Sequence, residues 1–109
     1  MSLTEKHCTP CRGGIPPLKG DELRKFQGQV TGWQVLEEHH LFKTCAFPDF
    51  RTALAFVNRV GELAEAEGHH PDICLGWGRV DIKIWTHKVD GLTESDFILA
   101  AKIDQLQHD

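Results

Sequence analysis

Apolar positions in the middle of the chain recur every three to four residues, which is the period of one face of an amphipathic helix. These positions are Phe50, Ala53, Leu54, Val57, Val60 and Ala64. Asp49 follows a proline and is suited to cap the first turn, and Gly68 is suited to end the helix in the left-handed conformation. The pattern predicts a long helix that ends at about Glu67.

On both sides of this helix the apolar positions alternate with a period of two, which predicts strands. Residues 33–47 contain two alternating segments, with a turn expected near Glu38 and His39. Residues 73–77 and 80–85 alternate in the same way, and two glycines mark the bend between them. We therefore expect two hairpins separated by the long helix.

Two shorter helical patterns lie near the ends of the chain. The first begins at Gly20, and the second follows Thr93 and Asp96, whose spacing resembles a capping box. The apolar positions are Leu23, Phe26 and Val30 in the first pattern and Leu99, Ile103 and Leu106 in the second. The order helix-strand-strand-helix-strand-strand-helix predicts an α+β fold, in which helices cover one face of an antiparallel sheet.

Residues 1–18 contain three prolines and two adjacent glycines, which interrupt regular structure. We expect an irregular N-terminal arm over residues 1–18 and a single domain over residues 19–109. A chain of 109 residues has the size of one domain with one modest core.

The overall composition narrows the function classes. With 40% hydrophobic and 26% charged residues, the chain resembles ordinary globular proteins. A net charge of -4 without a basic cluster argues against nucleic acid as a partner. No apolar run has the length of a membrane span or the core of a signal peptide, so we expect no membrane partner, a cytoplasmic location and reduced cysteines.

Histidine is the residue that points to chemistry. His69 and His70, followed by Pro71, come directly after the long helix, and His87 follows Thr86 at the end of the last strand. An imidazole exchanges protons near neutral pH, and the ends of rigid elements hold a side chain firmly. Each histidine also has a structural explanation, because an imidazole at a helix end contacts the last carbonyls and one at a strand end is often solvated.

Several motifs together distinguish these explanations. Glu65 to Asp72 reads Glu-Ala-Glu-Gly-His-His-Pro-Asp, residues 86–87 read Thr-His, and residues 91–96 read Gly-Leu-Thr-Glu-Ser-Asp. Together with Thr31-Gly32-Trp33 and Phe42-Lys43, they resemble the pterin-4a-carbinolamine dehydratases from about residue 18 to the C-terminus. Ile73, where the family usually has an aromatic residue, and Gly68, where an acidic residue is common, depart from the pattern.

The resemblance implies a four-stranded antiparallel sheet with three helices packed on one face and assembly into homodimers or homotetramers. It implies a hydro-lyase that converts 4a-hydroxytetrahydropterin to quinonoid dihydropterin and water during tetrahydropterin recycling. An aromatic amino acid hydroxylase of the same pathway would supply this substrate. The pterin is the substrate, so no further cofactor and no metal are implied, and His69, His70 and His87 match the three active-site histidines.

The reaction itself explains the need for imidazoles. Hydroxide leaves poorly, so its oxygen should be protonated while a proton is removed from the neighbouring ring nitrogen. We expect His70 or His87 to donate to the leaving hydroxyl, and His69 to take the opposite role or to serve the other substrate stereoisomer.

Neighbouring residues of the motifs are candidates for supporting this chemistry. Glu65 and Asp96 would orient an imidazole or a pterin amine, although each could instead serve its own helix end. The remaining substrate-binding or supporting candidates are Pro71, Asp72 and Thr86. Trp77 and Trp85 offer a flat pterin-facing surface, or simply packing.

The four cysteines and the pair His39-His40 are explained by structure rather than by chemistry. Cys8 and Cys11 have the spacing of half a zinc site or a redox pair, but the missing second half favours a reduced, flexible arm. Cys45 and Cys74 lie in predicted strands, where a thiol behaves as a small apolar residue. His39 and His40 are interpreted as an exposed bend of the first hairpin.

Two further function classes remain open beside the dehydratase. One is a non-catalytic or dual-role protein-binding module on the same fold, such as a dimerisation cofactor or an assembly chaperone. The other is a histidine-rich metal carrier.

Overall fold

The computed structural model describes residues 3–8 and 16–107. Three helices and four strands follow each other in the predicted order. The helices are α1 (Gly20–Gln27), α2 (Phe50–Glu67) and α3 (Glu94–Gln107), and the strands are β1 (Gln34–Leu36), β2 (His40–Ala46), β3 (Asp72–Gly76) and β4 (Arg79–Ile84). The predicted α+β class and element order are confirmed.

The four strands form one antiparallel sheet in the order β1-β2-β4-β3, so β2 and β4 are central. Leu41 pairs with Ile84 and Cys45 with Val80 across the two central strands. These four side chains are buried, whereas Thr44 on the alternate set of positions is exposed. The period-two pattern therefore separates a helix-covered face from an open face of the sheet.

Helix α2 begins and ends as its sequence predicts. The carboxylate of Asp49 accepts a hydrogen bond of 2.8 Å from the backbone N–H of Thr52, a cap that typically stabilises a helix by about 1 kcal/mol. Gly68 ends the helix with φ of 65°, which costs a glycine little. On the outer side of α2, the side chains of Phe50 and Leu54 remain 45% and 40% exposed.

Helix α3 is buried more completely than its sequence predicts. A single stripe of Leu99, Ile103 and Leu106 was expected, yet all seven residues from Ser95 to Ala101 are buried. The helix contacts α1, α2 and the N-terminal segment, so nearly every side of its first half faces protein. A helix surrounded in this way needs no polar face, so the apolar stripe in its sequence indicates only part of the surface that is buried.

The N-terminal arm was expected to be irregular throughout. Its described part contains a short 3-10 helix, Leu3–Glu5, which packs on α3. Leu3 is 3% exposed, and Lys6 Nζ lies 2.6 Å from Glu94 Oε2. The buried leucine therefore anchors residues 3–8 of the arm on α3. Cys11 lies outside the described residues, so the interpretation of Cys8 and Cys11 as part of a reduced, flexible arm stays a prediction.

Two turns contain residues in the left-handed region of backbone space. Glu37 and Glu38, between β1 and β2, have φ of 57° and 51°, and Asp90 has φ of 51°. The β1–β2 turn contains a hydrogen bond of 2.9 Å from His39 N to Leu36 O, so Glu37 and Glu38 are the two central residues of a turn with positive φ at both. Glutamate in this conformation costs about 1 kcal/mol per residue.

In the part of the chain that the structure describes, no helix combines the length and the apolar character needed to span a bilayer.

Candidate active site

The Asp96 carboxylate is the centre of a buried hydrogen-bond network at the start of α3. Its side chain is completely buried, and three donors surround it. Oδ1 lies 2.6 Å from His69 Nε2, and Oδ2 accepts hydrogen bonds of 2.8 Å from both Thr86 Oγ1 and the Thr93 backbone N–H. The contact with Thr93 is one half of the capping box predicted from the sequence. Asp96 thus serves its helix end and contacts an imidazole at the same time.

This network fixes the orientation of the His69 ring. A carboxylate only accepts, so His69 donates through Nε2–H and presents Nδ1 as its second nitrogen. Because the single Thr86 proton is given to Asp96, the Thr93 hydroxyl is the donor in the 3.0 Å contact between the two threonines. Every polar atom around the carboxylate is therefore assigned, and His69 is locked in one tautomer.

His70 lies in a different environment although it is the next residue. Its Nε2 lies 2.7 Å from Glu65 Oε2, one turn back on α2, and the two side chains are 60% and 79% exposed. A shallow depression of about 660 Å³, lined partly by Glu65 and Ile73, opens beside this pair. Glu65, like Asp96, therefore contacts a histidine of the motif, but in solvent.

His87 begins the short 3-10 helix His87–Val89 that follows β4. The preceding Thr86 is buried and forms a bridge with Gly91, with backbone hydrogen bonds of 2.8 and 3.3 Å. A Cβ on Gly91 would lie only 2.5 Å from Pro17 Cβ, so the loop requires glycine there. His87 is therefore carried by a short loop whose base is anchored next to Asp96.

The His87 imidazole packs against an aromatic side chain. Its ring centroid lies 4.3 Å from that of Trp85, with an interplanar angle of 35°. Within residues 3–8 and 16–107, the ring makes no hydrogen bond, and His87 is exposed. Unlike the His69 ring, the His87 ring is held by a tilted contact with Trp85 and by its loop.

His39 lies in the predicted turn of the first hairpin, but the expectation that His39 and His40 are exposed was wrong. Both residues are half-buried, and their ring centroids lie 5.6 and 6.4 Å from that of Trp85. His39 Nε2 also lies 2.7 Å from Asp90 Oδ1, and its Nδ1 lies 3.1 Å from His40 Nδ1. Burial, and then the positive charges of Lys83 and His39, lower the pKa of His40. The first hairpin turn thus reaches the His87 loop.

The other predicted site residues lie on or near β3. Pro71 is partly buried at the corner between α2 and β3, and Asp72 is the exposed first residue of β3. Asp72 lines a second depression on the open sheet face together with Phe42 and Lys83. Cys74, expected to be a small apolar residue, is exposed on the same strand because its side chain points away from the helices. Asp72 is therefore not part of the Asp96 network.

Glu67 is a second buried carboxylate, and no motif in the sequence indicates it. Glu67 accepts hydrogen bonds of 2.7 Å from Lys102 Nζ and 2.8 Å from the Cys8 backbone N–H, and His7 Nδ1 lies 3.2 Å away. Burial alone would raise the pKa of Glu67, but these contacts outweigh it and lower the pKa to about 2. Glu67 thus joins the N-terminal segment to the ends of α2 and α3.

The Cys8 thiol lies beside this carboxylate. Its Sγ lies 3.4 Å from Ser95 O, next to Asp96 in the sequence. Burial, and then the Glu67 charge, raise the pKa of Cys8 to about 12, so the thiol stays protonated at neutral pH. Among the described residues, no three His, Cys, Asp or Glu side chains are grouped so as to hold a metal ion.

Residues 16–106 match the family model described as pterin 4 alpha carbinolamine dehydratase. A Rubrobacter xylanophilus protein provisionally named a pterin-4-alpha-carbinolamine dehydratase is 62% identical over 104 residues, which cover 95% of this chain and 97% of the relative. A similarly named protein of Rickettsia bellii is 53% identical over 108 residues, covering 98% and 96%. One of Methylococcus capsulatus is 52% identical over 106 residues, covering 96% and 93%.

Two solved structures share the fold. The crystal structure of a transcriptional coactivator/pterin dehydratase from Brucella melitensis has a TM-score of 0.77 at 31% identity, and covers 83% of this chain and 97% of its own. A pterin dehydratase-like protein described as a RuBisCO assembly factor in the α-carboxysome has a TM-score of 0.60 at 28% identity, covering 69% and 88%. The sequence motifs, the four-stranded sheet with its three helices and these matches lead to one conclusion: the chain belongs to the pterin-4a-carbinolamine dehydratase family.

Proposed function

We propose that the protein dehydrates a 4a-hydroxytetrahydropterin to the quinonoid dihydropterin and water, with His69, His70 and His87 as its acid and base groups. The observation that carries this proposal is the buried pair of His69 and Asp96, joined at 2.6 Å. A buried carboxylate that fixes the tautomer of a histidine is a frequent arrangement for a general base.

His69 is assigned the role of proton acceptor. Its Nδ1 removes the proton from the ring nitrogen next to C4a, and the positive charge that forms on the imidazole is stabilised by Asp96 through Nε2–H. The electron pair of that N–H bond forms the C=N double bond as the C4a–O bond breaks. The imidazolium returns its proton to solvent after each turnover.

The leaving oxygen takes a proton from His70 or His87. Glu65 would orient His70, and Trp85 would hold His87, so both rings are placed by a neighbour. Thr86 contributes by connecting the His87 loop to Asp96, and Pro71 by holding His70 in an extended conformation after α2. A positioned general acid contributes roughly 10² to 10⁴ in rate, which suits a reaction that also proceeds without a catalyst.

The test is the formation of quinonoid dihydropterin from synthetic 4a-hydroxytetrahydropterin, followed by its absorbance with and without the protein. We expect acceleration by the wild type and by His7→Ala, and none by a variant with alanine at His69, His70 and His87. Circular dichroism checks that the triple variant is folded. A wild-type rate equal to the uncatalysed rate would reject the proposal.

A dual or non-catalytic protein-binding role is the second candidate. Phe50 and Leu54 are large apolar side chains exposed on the outer side of α2, and such patches often mark contacts between chains. A homodimer or homotetramer that uses this helix face is the simplest assembly. Sedimentation of the wild type and of a Phe50→Ser/Leu54→Ser variant tests it, because a smaller species is expected only for the variant.

The physiological setting proposed for the enzyme is the cytoplasm, with a hydroxylase of aromatic amino acids supplying the substrate. Residues 19–109 are proposed to carry the activity as one domain. A shortened chain beginning at residue 19 tests that extent. It should fold and turn over substrate, but be less stable because the contacts of His7 and Cys8 with Glu67 are lost.

A further inference from the structure

The three non-glycine residues with positive φ in the described chain belong to two turns that meet. Glu37 and Glu38 form the turn between β1 and β2, and Asp90 ends the 3-10 helix that begins with His87. Residues held in such sparsely populated conformations tend to occur at functional sites, where the surrounding structure fixes them. The location of these two turns next to His87 is therefore a better indication of function than the free energy that their conformation costs.

A direct side-chain contact joins the two turns. His39 follows Glu38, and its Nε2 lies 2.7 Å from Asp90 Oδ1. The Asp90 backbone N–H in turn donates to His87 O at 3.2 Å. The His39–Asp90 contact thus ties the first hairpin to the short loop that carries His87.

The Trp85 side chain forms the second connection between His39 and His87. Its ring centroid lies 5.6 Å from that of His39 and 4.3 Å from that of His87, so both imidazoles contact the same indole. Lys83 Nζ lies 4.9 Å from the indole centroid. Because the His87 imidazole has no hydrogen-bond partner in the described part of the chain, this aromatic contact and the loop backbone set the direction of the ring.

We propose that His39 is a positioning residue, which acts through its contacts with Asp90 and Trp85 to hold the His87 imidazole in place for proton transfer. This inference rests on the proposed function for its catalytic meaning. The positioning itself is a property of the folded chain, and it is measurable without substrate.

The variants separate the two contacts. His39→Phe keeps a flat ring beside Trp85 and removes the contact with Asp90. Asp90→Gly removes the carboxylate at a position where φ of 51° suits glycine, and Asp90→Asn keeps an oxygen that can accept from His39. His7→Phe is the matched control, because it removes another imidazole–carboxylate contact outside this cluster.

The first measurement is the NMR chemical shift of the His87 ring protons, assigned by their absence in His87→Ala. The indole ring current displaces these resonances in the wild type. His39→Phe and Asp90→Gly should move them toward the values of free histidine, whereas Asp90→Asn and His7→Phe should leave them near the wild-type values. Unchanged His87 resonances in His39→Phe would overturn the proposal.

The second measurement is the rate of dehydration. We expect kcat to fall roughly tenfold to hundredfold in His39→Phe, because a small displacement of a catalytic group costs that much. The double variant His39→Phe/Asp90→Gly should be no slower than the slower single variant, and His39→Phe should have no further effect in the His87→Ala background. A further loss in that background would overturn the proposal, because His39 would then act independently of His87.

The two measurements also distinguish the two proposals. A wild-type protein without turnover rejects the proposed function, while the NMR shifts still decide whether His39 positions His87. Normal turnover in His39→Phe with unchanged resonances rejects the positioning role alone.

Discussion

The two ends of the site hold their histidines by different physical means. His69 is bonded to a carboxylate with no exposed surface, on which two further donors converge. His87 is exposed and packs on Trp85, above a loop tied to the first hairpin. A buried charged hydrogen-bond network couples the orientation of a ring to the stability of the fold, whereas an exposed stack contributes little to stability. Mutations at the His69 end should therefore lower both activity and stability, whereas mutations at the His87 end should lower activity alone.

Asp96→Asn should give the largest effect, because it removes the centre of the buried end. If the amide NH2 faces Thr86 and Thr93, at least one buried donor loses its partner, and if it faces His69, the imidazole must change to the other tautomer to accept from it. We expect the free energy of unfolding to fall by about 2 to 4 kcal/mol and the rate of dehydration by about 100-fold or more. Urea denaturation and the dehydration assay measure these losses. A variant as stable as the wild type would show that the carboxylate is not needed for folding.

Exchange of His69 and His87 for alanine compares the two ends directly. Both variants should lose roughly 10² to 10⁴ in rate if both rings act as acid or base. His69→Ala should also lower the free energy of unfolding by about 1 to 3 kcal/mol, because Asp96 Oδ1 loses its donor. His87→Ala should change it by less than about 0.5 kcal/mol. Equal losses of stability in urea denaturation would contradict the distinction between the two ends.

The contribution of Glu67 to the free energy of unfolding should depend on pH. Its pKa is lowered from 4.5 to about 2, so its contribution to stability is fully present above pH 4.5 and is lost as the pH falls toward 2. The shift corresponds to a contribution of about 3 kcal/mol. The stability difference between the wild type and Glu67→Gln, measured by urea denaturation at pH 6, 4 and 3, should shrink over this interval. A difference independent of pH would show that the Glu67 charge does not stabilise the fold.

Glu65→Gln should also have a small effect on stability. The pair of Glu65 and His70 is solvent-exposed on both sides, and such pairs contribute about 0 to 1 kcal/mol. Added salt should reduce even this difference, because exposed charges are screened. A loss comparable to that of Asp96→Asn in the same denaturation experiment would place Glu65 in the buried end of the site.

Local signals in the sequence were sufficient for the fold. Helix α2 was predicted with its cap at Asp49 and its end at Gly68, because both depend on neighbouring residues only. The predicted hairpin turns and the four strands follow from the period-two pattern for the same reason. The burial of α3 on nearly all sides was missed, since it depends on three elements that meet only in the folded chain.

The site was predicted in part. The motif identified His69, His70 and His87 as candidates, and Glu65 and Asp96 as neighbouring carboxylates. Sequence spacing could not show that His39 lies beside Trp85, because that depends on the pairing of β2 with β4, in which Leu41 faces Ile84. The register of two strands separated by a long helix is a tertiary property, and the function of His39 is invisible without it.

The docked N-terminal segment has a practical consequence, since it encloses a thiol with a pKa of about 12. Cys8 should react slowly with an alkylating reagent while this segment is docked, and faster when it detaches from α3. The labelling rate of Cys8 itself, distinguished from that of Cys11 by fragmentation in mass spectrometry, would then report how often the N-terminal segment opens beside Asp96.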